Sequence, residues 1–407
     1  MNNKKIKRLL LRTMSGSVLL LSLGFLGCNT KSTPKEEMAG VTWPITIDIT
    51  AVKHIDTPIK LSQIATNIEY IFLDEEPLIN DILHSPIRIF DDTLYLDGDN
   101  IFKYTPDGKF IKKLFPEGPG PKEAKKHKTV PAAFNSKDRY VTFKNAIGDT
   151  YKTYSFNGDY LGERIANDTT NINLKTYFVD NQIYEQHKYG PFKKNEKLNI
   201  IGPYIFYAKN LYTDSISYRY ANPIPDGDAT YRGHRLELEV EMRYIHRDSL
   251  LWFKYVAIDT LYATSDLKTI KPMYIFKTDD SFMDMNSFLR FRVGDLSEKE
   301  CMRKRIIGGV LPLFNNDLLY LVNYELGLAD SSGQTAGYTK EPVQNDLDKY
   351  LKNIDLATII HYGTFSIYKG YMYFLVNASS FFEDGSSSPF PNLTEVSNPV
   401  VVKLKLK

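Results

Sequence analysis

Residues 86–112 read PIRIFDDTLYLDGDNIFKYTPDGKFIK. Four short runs rich in β-branched and aromatic residues alternate with turn residues, and the last turn contains Asp107-Gly108, a pair suited to a tight hairpin. The stretch therefore predicts four successive antiparallel strands. A four-stranded unit of this kind is the repeating element of a β-propeller.

The first hairpin of this unit recurs along the chain. Each copy has an apolar strand, a polar turn and a second strand that carries an aromatic anchor. The anchors are Tyr95, Tyr140, Tyr184, Trp252, Tyr320 and Tyr373, at steps of 45, 44, 68, 68 and 53 residues. Steps near 45 with insertions are typical of propeller blades. The sequence thus predicts an all-β fold, a six-bladed β-propeller of four-stranded antiparallel blades with short helical insertions. A β-sandwich or two smaller barrels is the alternative.

The two ends of the chain are predicted to meet in one blade. Val400 to Leu406 forms a strand with no further strand after it, while Ile45 to Ile49 and Ile68 to Leu73 are spare strands near the N-terminus. We expect one of the two to complete the last blade. Such N/C-terminal strand closure would remove open sheet edges, which otherwise favour aggregation.

The N-terminus resembles a bacterial lipoprotein signal. Five cations, Lys4, Lys5, Lys7, Arg8 and Arg12, precede an apolar run from Val18 to Gly27, and Cys28 follows. The run is shorter than the roughly 20 apolar residues of a membrane-spanning helix. The prediction is a signal peptide over residues 1–27, lipidation at Cys28, a flexible tether over 28–44 and a single propeller domain over 45–407. The membrane is then a partner through the N-terminal lipid.

The charge of the mature chain excludes two classes of partner. The full chain carries a formal charge of +2, which falls by five to near −3 once the signal is removed. A mildly acidic body has no electrostatic footprint for nucleic acid and no polybasic patch for anionic lipid. Cys301 is the only other cysteine, so no intramolecular disulfide is expected after lipidation.

The motifs of common catalytic and metal sites are absent from the sequence. None of the seven histidines stands at a metal-ligand spacing, and no nucleophile elbow, phosphate-binding loop or dinucleotide fingerprint occurs. No cofactor, no metal and no catalytic residue are therefore predicted. A propeller assembles its sites from several blades, so a hydrolase or lyase with its active site at the mouth of the central channel is the alternative function.

A ligand face is predicted where the second-to-third-strand turns and the links between blades meet. Its candidate residues are Asp97, Asp99, Asn100, Asn145, His187, Lys188, Asn323 and Asn377. Three long excursions are placed there, namely Pro223 to Glu241, Asp279 to Arg305 and Glu325 to Tyr362.

Two helices are predicted within these excursions. Ser297 and Glu300 form a capping box that starts a short helix, and Leu347, Tyr350, Leu351 and Ile354 recur at helical spacing. The second set predicts an amphipathic helix over the propeller. No third or fourth strand of blade five is identified between Tyr320 and Phe365.

Three segments carry a resemblance to a known family. Asn67 to Leu73, Asp107 to Ile111, and Gly118 to Pro121 with Glu123 look like the six-bladed β-propeller lipoproteins of Bacteroidetes, which are NHL-like. The resemblance implies the propeller fold and an outer membrane lipoprotein that faces the periplasm or the cell surface. The predicted function is a binding module for a glycan, a peptide or a partner protein.

Overall fold

The strands form six sheets of four or more strands and one two-stranded sheet within the part of the chain that the structure describes. The structure is a computed structural model. It describes residues 41–50, 52–79, 87–126, 132–135, 138–148, 150–165, 176–179, 182–186, 204–210, 216–221, 242–247, 250–255, 258–264, 269–284, 287, 296–301, 303–382 and 390–407. The sheets all belong to one compact unit, Thr42–Lys407.

Sheets one to three are antiparallel meanders in chain order. Sheet one contains β3 (Ile87–Phe90), β4 (Thr93–Asp97), β5 (Ile101–Tyr104) and β6 (Phe110–Lys113). Sheet two contains β7 (Ala133–Asn135), β8 (Tyr140–Lys144), β9 (Thr150–Ser155) and β10 (Tyr160–Ile165). Sheet three contains β11 (Thr176–Val179), β12 (Gln182–Gln186), β13 (Tyr204–Asn210) and β14 (Ile216–Ala221).

Sheets four and five repeat the same order. Sheet four contains β15 (Met242–Arg247), β16 (Leu250–Tyr255), β17 (Thr260–Thr264) and β18 (Lys271–Lys277), and the N-terminal strand β1 (Ile45–Asp48) joins its outer edge. Sheet five contains β19 (Ile307–Pro312), β20 (Leu318–Val322), β21 (Glu325–Ala329) and β22 (Thr335–Thr339). A two-stranded sheet of β23 (Val343–Gln344) and β24 (Asn353–Ile354) follows.

Sheet six joins the two ends of the chain. It contains β25 (Phe365–Tyr368), β26 (Tyr371–Val376), β27 (Val400–Leu406) and, as its outer strand, β2 (Ala65–Phe72). β2 pairs antiparallel with β27 from Ala65 opposite Leu406 to Phe72 opposite Val400. The prediction that one of two N-terminal strands pairs with the C-terminal strand is confirmed, and that strand is β2.

The N-terminal segment also contacts the two sheets before sheet six. β1 runs parallel to β18 with Ile45 opposite Tyr274, and the backbone N–H of Ile55 donates to the Tyr338 carbonyl at 2.9 Å. Ser62, in the short helix α1 (Leu61–Ile64), donates its hydroxyl to Asp346 at 2.6 Å. Residues 45–72, which we call the clasp, therefore bind sheets four, five and six in turn. The sequence predicts only that one strand of this segment joins the last sheet.

All six predicted hairpins are present, because β3–β4, β7–β8, β11–β12, β15–β16, β19–β20 and β25–β26 each pair antiparallel. Three of the aromatic anchors, Tyr95, Trp252 and Tyr320, are at most 1% exposed. One core cluster joins Tyr95 and Phe115 of sheet one to Phe143 of sheet two.

Two predictions around sheet five are wrong. The sheet has its third and fourth strands, β21 and β22, inside the stretch assigned to an excursion from Glu325 to Tyr362. Residues 347–354 are not helical; the helix is α3 (Leu356–Tyr362), which follows the short helix α2 (Glu298–Cys301) in chain order. Asp355 caps α3 by accepting from the N–H of Thr358, and Gly363 ends it in the left-handed conformation.

The capping box before α2 is confirmed. The Ser297 hydroxyl donates to the Glu300 carboxylate at 2.6 Å, and the backbone N–H of Glu300 donates back to that hydroxyl at 3.2 Å. The excursion from Pro223 to Glu241 lies outside the described residues.

Candidate functional site

Connections leave the sheets at two opposite ends of the strands. We call the end with the first-to-second and third-to-fourth turns the turn face, and the end with the second-to-third turns and the links between sheets the link face. On the turn face the connections are short and rich in positive φ angles, as at Asp91 (47°), Asp92 (59°) and Lys369 (49°). Such tight turns suit hairpins.

Ion pairs join neighbouring sheets across the turn face. Lys369 of sheet six contacts Asp92 of sheet one at 2.9 Å, and Arg139 of sheet two pairs with Asp91 of sheet one. These side chains are more than half exposed. The pairs place the first turns of sheets six, one and two side by side.

The link face contains a buried ion pair. Asp97, at the end of β4, lies 2.9 Å from the ammonium of Lys126, which belongs to the link between sheets one and two, and both side chains are at most 1% exposed. Lys126 also donates to the Gly98 carbonyl at 3.2 Å, and the N–H of Ala132 donates to Asp97 at 2.7 Å. The predicted ligand residue Asp97 therefore holds the link in place.

Two more predicted ligand residues are buried and bonded within the chain. Asn100 donates to the carbonyl of Phe115 at 3.0 Å and accepts from the N–H of Ile101 at 2.8 Å. Asn145 accepts from the N–H of Lys125 at 3.0 Å and donates to the Ile147 carbonyl. Their side chains connect links to turns.

The other predicted ligand residues divide into two groups. Asp99, Asn323 and Asn377 are exposed on the link face, whereas His187 and Lys188 lie outside the described residues. Asn323 accepts from the N–H of Ile306 at 2.8 Å, and Asn377 precedes a 3₁₀ helix, Ala378–Phe381. The exposed three stand on three different sheets, one, five and six.

Lys152 fixes the Gly-Pro element of the first link. Its ammonium, on β9, donates to the carbonyls of Glu123 at 2.5 Å and Pro121 at 3.2 Å. The Glu123 carboxylate in turn accepts from the N–H of Gly120 at 2.9 Å. This part of the link face is thus a rigid loop.

A polar cluster that the sequence does not predict lies on the link face of sheet five. His54, in the N-terminal segment, bonds through Nδ1 to the carboxylate of Glu325 at 2.7 Å and through Nε2 to Asp56 at 3.2 Å. The hydrogen bond to Glu325 raises the pKa of His54 above its ordinary value. No spacing in the sequence relates residues 54 and 325, so only the fold reveals the pair.

Arg305 ties the same cluster to sheet four. Its guanidinium donates to the Ser281 hydroxyl at 2.5 Å, to the Tyr338 hydroxyl at 3.3 Å and to the carbonyl of Val52 at 3.3 Å. It also lies over the ring of Phe282, 3.9 Å from the centroid. Arg305 therefore anchors the N-terminal segment.

Three aromatic rings adjoin this cluster. Tyr324 is 67% exposed at the tip of the β20–β21 turn, and Tyr362, at the end of α3, is 57% exposed. The ring of His361 lies 4.4 Å from that of Tyr324 and 4.8 Å from that of Tyr362.

Close packing holds α3 against sheet five. A Cβ at Gly309 of β19 would lie 2.8 Å from Cγ2 of Ile360, so glycine allows the helix to contact the strand. The helix therefore has a fixed position beside the β20–β21 turn.

The described residues contain no group of three or more histidine, cysteine or carboxylate side chains arranged to hold a metal ion. They also contain no helix with the length and apolarity needed to cross a bilayer. A shallow groove of about 490 Å³ lies between sheets one and two, lined by residues 112–117 and Gly158.

Comparison with known proteins supports the fold alone. A Bacteroides fragilis protein described as exported has a similar structure, with 14% identity, a TM-score of 0.58 and coverage of 89% of this chain and 99% of the other. A DUF4221 family member from Bacteroides vulgatus matches with 13% identity, a TM-score of 0.49 and coverage of 84% and 97%. No family model and no curated protein matches the chain.

Proposed function

We propose that this chain is a lipid-anchored protein of the cell envelope whose link face binds a glycan, a peptide or a partner protein. In this proposal residues 1–27 are a signal peptide, Cys28 carries the lipid, residues 28–44 are the tether and residues 45–407 form one propeller. The apolar run before Cys28 and the similarity to an exported Bacteroides protein support this organisation. They favour an outer membrane lipoprotein of the Bacteroidetes type, facing the periplasm or the cell surface.

The proposal includes closure of the six sheets into a six-bladed ring. Three contacts at the junction of the chain ends support it. The first strand of sheet six, β25, lies against β3 of sheet one. Lys369 pairs with Asp92 across the same junction, and β2 completes sheet six. Closure would leave only the outer strands with free edges.

The difference between the two faces is the observation that carries the binding function. The described turns of the turn face are short and connected by ion pairs, whereas the link face carries the longer links, α3 and the exposed residues Asp99, Tyr324 and Asn377. Binding residues concentrate on variable connections that a rigid scaffold positions. The link face carries such connections and is therefore the proposed binding surface.

Two measurements test the proposal with the full chain. Metabolic labelling with an alkyne-bearing palmitate should mark the wild type and not Cys28→Ala. An array of glycans and peptides should retain the purified wild type, and a double substitution on the link face, Asp99→Lys with Asn377→Lys, should lower that retention at least about tenfold. Asp107→Lys, an exposed change on the turn face, is the matched control and should stay within about twofold.

Three results would contradict the proposal. They are equal labelling of Cys28→Ala, loss of retention with Asp107→Lys alone, and release of cleavage products from an arrayed glycan or ester. The third would favour a hydrolase or lyase.

A further inference from the structure

Tyr324 occupies a backbone position that a tyrosine does not favour. Val322 pairs with Glu325, so Asn323 and Tyr324 are the two central residues of the β20–β21 turn, and their φ angles are 49° and 70°. Two positive φ angles suit Asn-Gly, because glycine has no Cβ to clash with the backbone. A bulky side chain in the left-handed region is strained.

Neither burial nor turn chemistry accounts for the tyrosine. Its side chain is 67% exposed, whereas Asn323 is tolerated at positive φ and bonds to Ile306. A strained residue whose side chain stays mostly exposed indicates a function for the side chain.

The ring of Tyr324 belongs to a rigid row of three. His361 lies between Tyr324 and Tyr362, with interplanar angles of 62° and 76°. The cap at Asp355, the end at Gly363 and the contact of Ile360 with Gly309 fix α3, which carries two of the rings. The row is therefore preorganised for contact with a ligand.

The chemistry beside the row selects the class of ligand. The C–H groups on one side of a pyranose ring stack on an aromatic face, while its hydroxyls need polar partners at the edge. Glu325 follows Tyr324 directly, and its carboxylate bonds to His54, which also bonds to Asp56. Arg305, the nearby cation, pairs with Asp279 at 3.5 Å. The two carboxylates and one imidazole therefore leave this flank acidic or neutral, which disfavours an acidic sugar.

We propose that Tyr324, His361 and Tyr362 form a stacking subsite for a neutral pyranose ring of a glycan. The inference rests on the proposed function, since it names the ligand class of the link face. A partner protein or peptide is the other outcome of the test.

Three variants of the purified full chain test the subsite. The probes are immobilised neutral hexasaccharides of glucose, mannose and galactose, with hexagalacturonate as the acidic comparison and a peptide array beside them. Tyr324→Gly should lower the affinity for a neutral hexasaccharide at least about tenfold, because the stacking ring is lost. Tyr324→Phe should bind within about twofold of the wild type, since it keeps the ring face. Tyr350→Ala removes a partly exposed tyrosine of a different aromatic cluster and should leave the affinity for the hexasaccharides unchanged.

A thermal unfolding curve separates the subsite from a structural role. Tyr324→Gly creates Asn-Gly and relieves the backbone strain, so its melting temperature should rise by about 1–2 °C while its binding falls. A variant that loses both stability and binding would show a structural residue and overturn the proposal.

Five other results would also overturn it. Tyr324→Gly binding like the wild type, equal loss with Tyr350→Ala, or preference for hexagalacturonate would each do so. Retention of the wild type by peptides and by none of the neutral glycans would overturn the subsite and leave the binding module standing. Retention by neither array would overturn both.

Discussion

Lys126 and Arg139 each pair with an aspartate, one on the link face and one on the turn face, but their surroundings differ. The Lys126–Asp97 pair is at most 1% exposed and also bonds to the backbone of the link. The Arg139 and Asp91 side chains are 55% and 68% exposed. The turns of the turn face are determined by local hairpin geometry, and the exposed ion pairs add little to their stability. The links between sheets on the link face are irregular, so buried polar contacts must hold them.

The largest expected effect comes from breaking the buried ion pair, and breaking the exposed pair is the comparison. Lys126→Ala leaves Asp97 as an uncompensated buried charge, and we expect a loss of about 3–5 kcal/mol in the free energy of unfolding. Arg139→Ala should cost less than about 1 kcal/mol, because both of its groups are exposed to water. Denaturant unfolding of both variants measures the difference. Similar losses in the free energy of unfolding would show that the buried pair of the link face contributes no more than the exposed pair of the turn face.

A second test compares two glycines of the turn face. Gly108 has a φ of 90°, and a Cβ there would overlap the carbonyl oxygen of Phe72 in the neighbouring sheet. Gly370 has a φ of 81° with open space around it. Gly108→Ala should destabilise the protein by about 2–4 kcal/mol, since overlap adds to strain, and Gly370→Ala by about 1–2 kcal/mol. Equal losses of stability in the two variants would show that the contact of Gly108 with the neighbouring sheet contributes no stability.

Lys254 of β16, buried between sheets four and five, provides a pH test that involves neither face. It donates to the Ile307 carbonyl at 3.0 Å, and burial lowers its pKa from 10.5 to about 7. Between these pH values the unfolded chain binds more protons than the folded chain. The free energy of unfolding should therefore rise with pH by up to about 1.4 kcal/mol per pH unit.

Denaturant unfolding from pH 7.5 to 9.5 measures this slope. Lys254→Met should flatten it, whatever the variant's absolute stability. A variant that keeps the slope of the wild type would assign the dependence to other groups.

The smallest expected effect distinguishes the faces by pH. The pKa of His54 is raised, so its stabilising pair with Glu325 is complete below the ordinary pKa of 6.5 and is lost as the pH rises through the folded value. The N–H of Ile55, which donates to Tyr338, should therefore exchange with solvent more readily, relative to the turn face, as pH rises.

Hydrogen exchange between pH 5.5 and 8.5, corrected for intrinsic rates, checks this expectation. His54→Gln should remove the pH dependence at Ile55 and leave the Asn157-Gly158 turn unchanged. The same pH dependence in this variant would exclude His54 as its source.

Strands with local signals could be predicted from the sequence, and strands that depend on distant partners could not. The Asp107-Gly108 and Asn157-Gly158 turns mark hairpins by themselves, since both glycines have positive φ. β21 contains Gly327, where a Cβ would overlap the ring of Tyr320, so the aromatic anchor of one strand requires glycine in the next. Glycine weakens the strand signal, and this explains why the sequence does not show sheet five complete.

The sequence indicates on which face a loop residue lies, but not whether its side chain is exposed there. Asp99, Asn323 and Asn377 are exposed on the link face, but Asp97, Asn100 and Asn145 are buried there because each satisfies backbone groups of a link or a turn. A polar residue in a loop looks the same in sequence whether it bonds to a ligand or to its own chain. The contact of His54 with Glu325 spans 271 positions, and only the path of the N-terminal segment brings them together.

The clasp also has a consequence for how the protein is made. β2 leaves the ribosome long before its partner β27 is synthesised; Lys403 and Glu69, which pair between these strands, are 334 positions apart. Contacts so distant in sequence form slowly. β2 therefore waits for β27 to be translated, and sheet six stays incomplete until then.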